Sequence, residues 1–417
     1  MLDINYIRDH QEIVKTACSN KQLSADVVDE LLAVDQERRA LQVQVDDLRR
    51  QSNANAAKIK EQVGQGGQPD SQLIASGKEI KSQLKELEPK MTDILERFNA
   101  LMLQIPNVPS EDSPVGSDES GNQVLRQEGQ VREFDFKPLD HQTLMEDLNW
   151  LETKRAVKIA GFRAYFLKND GLRLERALMS YALDLMRKHG FEIMSTPTMV
   201  NPEAMHGTGY FPWGAEDHYQ TQDDQVLAGT AEVALTSYYQ GELLREKDLP
   251  VKLCGISPCY RREVGAHGKD TKGIIRVHQF NKVEQVVLTV ADEAETRAWH
   301  EKMLAFSEEL LQSLGLPYQV LAMCTGDMGA CQRKKYDLET WFPSQGCYRE
   351  THSASYFNDF QARRLNIRYQ AKDGSVKYVY TLNNTVAASP RLLAAIVENY
   401  QQKDATIEIP EVLKQYF

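Results

Sequence analysis

The first hundred residues constrain this chain's shape more than any other stretch, because two runs of positions recur there at an unbroken 3–4 spacing. Leu31, Val34, Arg38, Leu41, Val45, Leu48, Ser52, Asn55 and Ile59 form the first run. Ile80, Leu84, Leu87, Met91, Ile94, Phe98, Leu101 and Ile105 form the second. Such spacing keeps one stripe of each helix turned toward a partner helix. Between the runs lies GQGGQPD (64–70), whose glycines and proline end one helix and turn the chain. The pattern predicts an antiparallel coiled-coil hairpin whose two helices, of roughly 35 residues each, reach on the order of 50 Å. Ser52 and Asn55 interrupt the apolar stripe and are expected to weaken the seam there.

A spacer or a dimerisation element is the plain reading of such a hairpin. Its charge points further. The chain as a whole has 49 Lys and Arg against 60 Asp and Glu, a net charge of −11. Yet residues 49–85 carry Arg49, Arg50, Lys58, Lys60, Lys78, Lys81 and Lys85 against only Glu61, Asp70 and Glu79. A basic surface on an acidic protein suits a phosphate backbone. After the hairpin, QIPNVPSEDSPVGSDESGNQ (104–123) has the prolines, serines and acids of a linker. The chain is thus expected to comprise residues 1–108, a linker 109–123, and a larger domain 124–417.

Several classes are excluded. No apolar run approaches the roughly 18 residues of a membrane span. Asp3 and Asp9 stand where a signal peptide has basic and apolar residues, so a cytoplasmic location is expected. The six cysteines form no C-x-x-C pair, which argues against a disulfide framework or a cysteine zinc site. Nucleotide-binding, zinc-protease and serine-hydrolase loop motifs are absent.

The larger domain mixes strands and helices without βαβ alternation, which predicts an α+β sheet domain. Residues 171–190 read as a helix stopped by Gly190, and Pro197 confines the strand that follows to a sheet edge or an interface. Within IIRVHQFNKVE (274–284), Arg276, His278, Phe280, Lys282 and Glu284 alternate, and are predicted to line one strand face. Phe280 and Glu284 would then stand about 13 Å apart. That is the span from a nucleotide base to an amino acid joined beyond its α-phosphate. Phe280 offers a flat platform for a purine, and Glu284 a charge-assisted bond for an ammonium or hydroxyl. Arg276, and Arg261 on the preceding strand, would grip phosphates. A solvated face with cross-strand ion pairs is the alternative, but such a face rarely has Phe at its centre.

These residues match a family pattern. Tyr260-Arg261-Arg262-Glu263, a Gly-containing loop, then Arg276 and Phe280 resemble motif 2 of class II aminoacyl-tRNA synthetases. The helix and Pro197 strand resemble motif 1, and TLNNTVAASPRLLAAIVENYQ (381–401) resembles motif 3. QVLAGTAEVALT, CTGDMG, YDLETWFP and YRETHSASYFNDFQARR are similar to bacterial-type seryl-tRNA synthetases, from the N-terminus almost to the last residue. The resemblance implies an N-terminal coiled-coil tRNA-binding domain and a class II catalytic domain with an antiparallel sheet flanked by helices.

It also implies roles. Arg261, Arg391 and Glu350 would be catalytic. ATP would meet Arg261, Arg262, Glu263, Arg276, Val277, Phe280, Glu350, Thr351, His352, Ser353 and Arg391, with adenine between Phe280 and Arg391. Glu350 and Ser353 would hold Mg²⁺. Thr230, Ala231, Glu232, Glu284, Asn383 and Thr385 would enclose L-serine. The basic residues of the hairpin, with Lys269 and Lys272 of the motif 2 loop, would meet tRNA(Ser), and tRNA(Sec) where it exists. Motif 3 departs from the glycine-rich form with Ala387-Ala388-Ser389-Pro390 before Arg391. Family members are homodimers in which one subunit's arm serves tRNA at the other's site. A paralogue that delivers serine elsewhere would be expected to lack the arm. A non-catalytic relative would lose Arg261, Glu284, Glu350 or Arg391, and all four are present.

Overall fold

The computed structural model describes residues 1–265 and 272–417. The chain packs as two units, one of Leu2–Ser19 with Leu23–Pro106, the other of Met1, Asn20–Gln22 and Asn107–Phe417.

In the first unit, helix α1 (Asp26–Gly64, 39 residues) and helix α2 (Ser71–Gln104, 34 residues) pack side by side along the predicted stripe. Leu31, Val34 and Val45 of α1 are buried, as are Ile80, Met91 and Leu101 of α2. Gly66 takes a φ of +79° in the turn, a conformation that costs glycine little. Asp70 caps α2 by accepting from the Gln72 amide at 2.8 Å. Asn55 does not simply weaken the seam. It is buried, and its Nδ2 donates to the Leu73 carbonyl of α2 at 2.9 Å. Gly77 makes room for it, since a Cβ there would stand 3.2 Å from that nitrogen. A single polar bond inside an apolar seam fixes register at some cost in stability. Arg38, the cation in the stripe, places its guanidinium 4.7 Å from the Phe98 ring centroid and 2.8 Å from buried Asp35.

The second unit is built on eight strands: β1 (Gln123–Glu128), β2 (Glu192–Ser195), β3 (Val251–Tyr260), β4 (Gln279–Thr289), β5 (Tyr318–Ala322), β6 (Lys334–Phe342), β7 (Cys347–Asn358) and β8 (Tyr380–Ala388). Across the sheet they run β1-β5-β6-β7-β8-β4-β3-β2. Every neighbouring pair is antiparallel except β2 with β3. As Pro197 requires, β2 lies at the edge and ends at Ser195. Helices α3 (Asn169–Lys188), α4 (Glu293–Ser313) and α5 (Ser389–Tyr400) share an apolar core with the sheet. Gln285 of β4 and Asn384 of β8 both reach from that face to the Met303 carbonyl of α4, at 3.1 and 2.7 Å. Residues of the other parity on β4 are thereby turned to the opposite face.

Two expectations change. The stretch read as a linker is bonded along the sheet unit: Asn107 donates to the carbonyls of Cys331 (3.0 Å) and Phe357 (2.8 Å). Asp112 meets Lys334 at 2.6 Å and Arg297 at 3.1 Å. Asn122 accepts from the Cys324 amide at 2.9 Å. The predicted alternation of residues 276–284 begins only at Gln279. Residues 272–278 form bends and a turn, so His278 leaves the face; its Nδ1 lies 2.9 Å from the Arg261 carbonyl. Among the described residues, no helix is long and apolar enough to cross a membrane.

Candidate active site

Phe280, Lys282 and Glu284 point from β4 into a cavity of about 280 Å³. Glu284 stands at its buried end, 2% exposed. A register shift between Val283 and Glu284 sets Glu284 opposite Thr385 of β8. One carboxylate oxygen, Oε2, collects three donors: Lys282 Nζ at 2.5 Å, Thr230 Oγ1 at 3.4 Å and Thr385 Oγ1 at 3.5 Å. Oε1 has no partner among the described residues. Asn383 and Glu232 also line this end. Both Glu232 oxygens are engaged, Oε2 by the Tyr210 hydroxyl at 2.7 Å and Oε1 by Gln361 at 2.9 Å. Burial, with the nearby Glu284 charge, pushes the Glu232 carboxyl up to about 6. Two serine-pocket expectations shift. Ala231 packs into an apolar cluster with Leu235, Leu253 and Val286 instead of lining the cavity, and Thr230 acts from behind, through Glu284.

Further out, Arg261 follows the end of β3, its guanidinium carbon 5.3 Å from the Phe280 ring centroid and its Nε donating to the Gly229 carbonyl at 3.4 Å. Arg391, near the start of α5, places Nη1 3.0 Å from Glu350 Oε2 and 2.7 Å from the Glu350 carbonyl. Burial favours the neutral Glu350 carboxyl, but Arg391 and then Lys335 outweigh it and hold the group down at about 2. Arg276 lies 2.6 Å from Glu263, so two residues each expected to meet ATP form one ion pair on the cavity wall. Val277 and Ser353 also line the cavity.

Three residues expected at ATP have their polar side-chain atoms engaged within the protein. Arg262 turns away: its side chain donates to the Glu216 carbonyl at 2.9 Å. Thr351 and His352 reach the wall, but their polar side-chain atoms are engaged within the protein. Thr351 Oγ1 lies 2.8 Å from Thr340 Oγ1. His352 Nδ1 lies 2.9 Å from Thr351 Oγ1 and Nε2 3.0 Å from the Val386 carbonyl, and burial pushes the ring down to about 4. A register shift in β7 between Glu350 and His352 brings Glu350, Thr351, His352 and Ser353 all to the cavity wall. Lys282 and Tyr210 went unassigned in the sequence. Parity placed Lys282 beside Glu284; nothing local marked Tyr210.

Glu350 and Ser353 supply one ionised carboxylate and one hydroxyl, and the described residues hold no cluster of three His, Cys, Asp or Glu suited to a metal. Such a sparse set of hard oxygens fits Mg²⁺ completed by substrate phosphates and water, not an all-protein metal cage.

On the hairpin, Arg49, Arg50, Lys58, Lys60, Lys78, Lys81 and Lys85 are all exposed. Arg49 pairs with Glu88 at 2.9 Å and Arg50 with Asp47. The five lysines have no acidic partner among the described residues. Lys272 is exposed, and Lys269 lies outside the described residues.

Residues 1–109 match the seryl-tRNA synthetase N-terminal domain, and residues 216–400 match the class II tRNA synthetase core domain (G, H, P, S and T). A serine–tRNA ligase of Deinococcus radiodurans is 43% identical over 417 residues, 100% of this chain and 97% of the relative. The chain belongs to the seryl-tRNA synthetase family. Solved members of that family superpose along the whole chain. A seryl-tRNA synthetase from Pyrococcus horikoshii complexed with ATP gives a TM-score of 0.92 at 38% identity, covering 100% of this chain and 98% of that one. A cytoplasmic serine-tRNA ligase from Naegleria fowleri in complex with AMP gives 0.87 at 32%, covering 100% and 97%. A prolyl-tRNA synthetase from Giardia lamblia, at 15% identity and TM-score 0.57 over 65% of this chain and 54% of that one, shares the fold alone.

Proposed function

We propose that this chain activates L-serine with ATP, forming seryl-adenylate and pyrophosphate, and then esterifies serine to tRNA(Ser), and to tRNA(Sec) where the organism has it. The observation that carries this reading is the order along β4. An aromatic ring beside a guanidinium stands at one end of the cavity and a buried carboxylate with an open oxygen at the other. Adenine stacks between Phe280 and Arg391. The serine hydroxyl donates to Glu284, with Thr385 beside it, and Asn383 and Glu232 complete the pocket. Arg261 meets the α-phosphate as the serine carboxylate attacks it in line, and the pyrophosphate leaves. The bond formed is carboxylate oxygen to phosphorus, and the bond broken is the α–β phosphoanhydride. Positioning and charge stabilisation carry such a displacement. Glu350 and Ser353 would hold Mg²⁺, which when bound neutralises phosphate charge. ATP–pyrophosphate exchange with each amino acid in turn tests the reading: serine should drive it best, and a better response to another amino acid would remove it.

The exposed lysines of the hairpin contact the tRNA phosphate backbone, recognising shape more than sequence. Replacing Lys58, Lys60, Lys78, Lys81 and Lys85 by Gln should raise the KM for tRNA(Ser) by on the order of tenfold or more and flatten its salt dependence. Exchange without tRNA should be unchanged. Equal loss of both activities would make the lysines structural. A homodimer is supported by an apolar surface on residues 157–172, where Ile159 is 75%, Phe162 53% and Phe166 45% exposed. A second copy would cover it.

A further inference from the structure

Residues 275–277 form one edge of the cavity, and what holds the chain just before them lies outside the machinery described so far. We propose that His141 and Gln142 act as a positioning clamp that fixes Gly273 and Ile274, and through them sets Arg276 and Val277 for ATP. The proposal rests on reading the cavity as an ATP site.

Gln142 Oε1 accepts from the Gly273 amide at 2.8 Å, and His141 Nε2 accepts from the Ile274 amide at 3.3 Å. Arg391 Nε donates to the next carbonyl, that of Ile275, at 3.2 Å. Three successive residues are thus each held by a side chain from elsewhere in the chain. Because Nε2 accepts, the ring proton sits on Nδ1 and donates to Glu398 Oε1 at 2.8 Å. Glu398 is fully buried and also accepts from the amides of His141 (3.1 Å) and Ser344 (3.0 Å). It lies about two turns along α5 from Arg391, so one helix carries both the cavity arginine and the carboxylate that orients the clamp.

Gly273 completes the device. Its φ is +70°, and a Cβ there would lie 2.0 Å from His141 Nε2. An imidazole locked between Glu398 and Ile274 has nowhere to move, so the backbone must approach it as glycine.

Gln142 is half-buried, and its alanine variant should fold. In serine-dependent exchange, Gln142→Ala should raise the KM for ATP about tenfold, since a donor in the wall loses its partner. The KM for serine, kcat and Tm should stay within about twofold or a few degrees. Gln142 Nε2 donates to Glu146 at 2.9 Å, so Gln142→Glu combined with Glu146→Gln, which keeps the acceptor toward Gly273 without a like-charge contact, should restore most of the loss. His141→Gln, which keeps an acceptor toward Ile274, should outperform His141→Asn, which keeps only the donor toward Glu398. Amide exchange of a 272–280 peptide, which needs no activity, should quicken in Gln142→Ala. An unchanged ATP KM with unchanged amide protection would overturn the clamp, as would ATP and serine KM rising together. Wild-type protein inactive with every amino acid would instead sink the ATP reading, while the amide measurement still judges the clamp.

Discussion

Replacing Arg261 with alanine should lower kcat for serine-dependent ATP–pyrophosphate exchange by about 10³-fold, the scale seen when a preorganised charge at a reacting centre is removed. Three arginines line the cavity, and they are not equivalent. Arg276 is paired with Glu263 and Arg391 with Glu350, at 2.6 and 3.0 Å. Among the described residues no carboxylate lies within ion-pair distance of Arg261, whose contacts are the Phe280 ring and the Gly229 carbonyl. A half-buried cation that the described residues leave without a counter-charge is placed for an anion that arrives. The paired arginines must exchange one partner for another; Arg261 gains one outright. Arg261→Lys keeps the charge but loses the planar fork, and should recover only part of the rate. Tm should fall by no more than a few degrees in either variant, because the loss is the Phe280 contact and a long bond to Gly229, with no ion pair among the described residues. A kcat within tenfold of wild type would mean the α-phosphate is held elsewhere.

Glu284→Ala should have a comparable effect on serine, for a different reason. The carboxylate is the only acidic partner the described residues give Lys282, whose side chain is 7% exposed. Removing one member of a buried pair leaves the other uncompensated, at a cost of about 3–5 kcal/mol. The variant should therefore unfold at a markedly lower temperature and lose on the order of 10³-fold in kcat/KM for serine. A combined Lys282→Met, Glu284→Leu variant separates the two effects. It removes both charges, so Tm should return most of the way while serine activation stays low. Recovery of serine activation along with Tm would make Glu284 a structural residue only. In the wild-type protein the same geometry should reject alanine by on the order of 10⁴, because alanine leaves the open Glu284 oxygen unpaired.

Features set by local spacing were legible in the sequence. The heptad runs fold as read because burial of a helix stripe depends only on residues three and four apart. The order Phe280, Lys282, Glu284 held because a strand alternates whatever surrounds it. Features that depend on distant partners were not legible. Residues 107–122 have the composition of a linker, yet Asn107 and Asp112 find carbonyls and cations more than 180 positions away, which composition cannot reveal. The alternation failed at His278 because the chain bends there, and a bend between two extended stretches leaves no periodic trace. Arg262, Thr351 and His352 sit beside cavity residues in sequence and turn their polar atoms inward or away, a choice made by neighbouring strands and loops. The His141 clamp joins positions 141, 273 and 398, which only the tertiary fold assembles.

A structure of the protein with a non-hydrolysable seryl-adenylate analogue tests the account most directly. The adenine should lie at about 3.5–4 Å from the Phe280 ring, with Arg261 on the phosphate mimic and the serine hydroxyl within hydrogen-bond reach of Glu284. An adenine ring away from Phe280, or a seryl group that leaves Glu284 untouched, would contradict the β4 strand as the template for this intermediate.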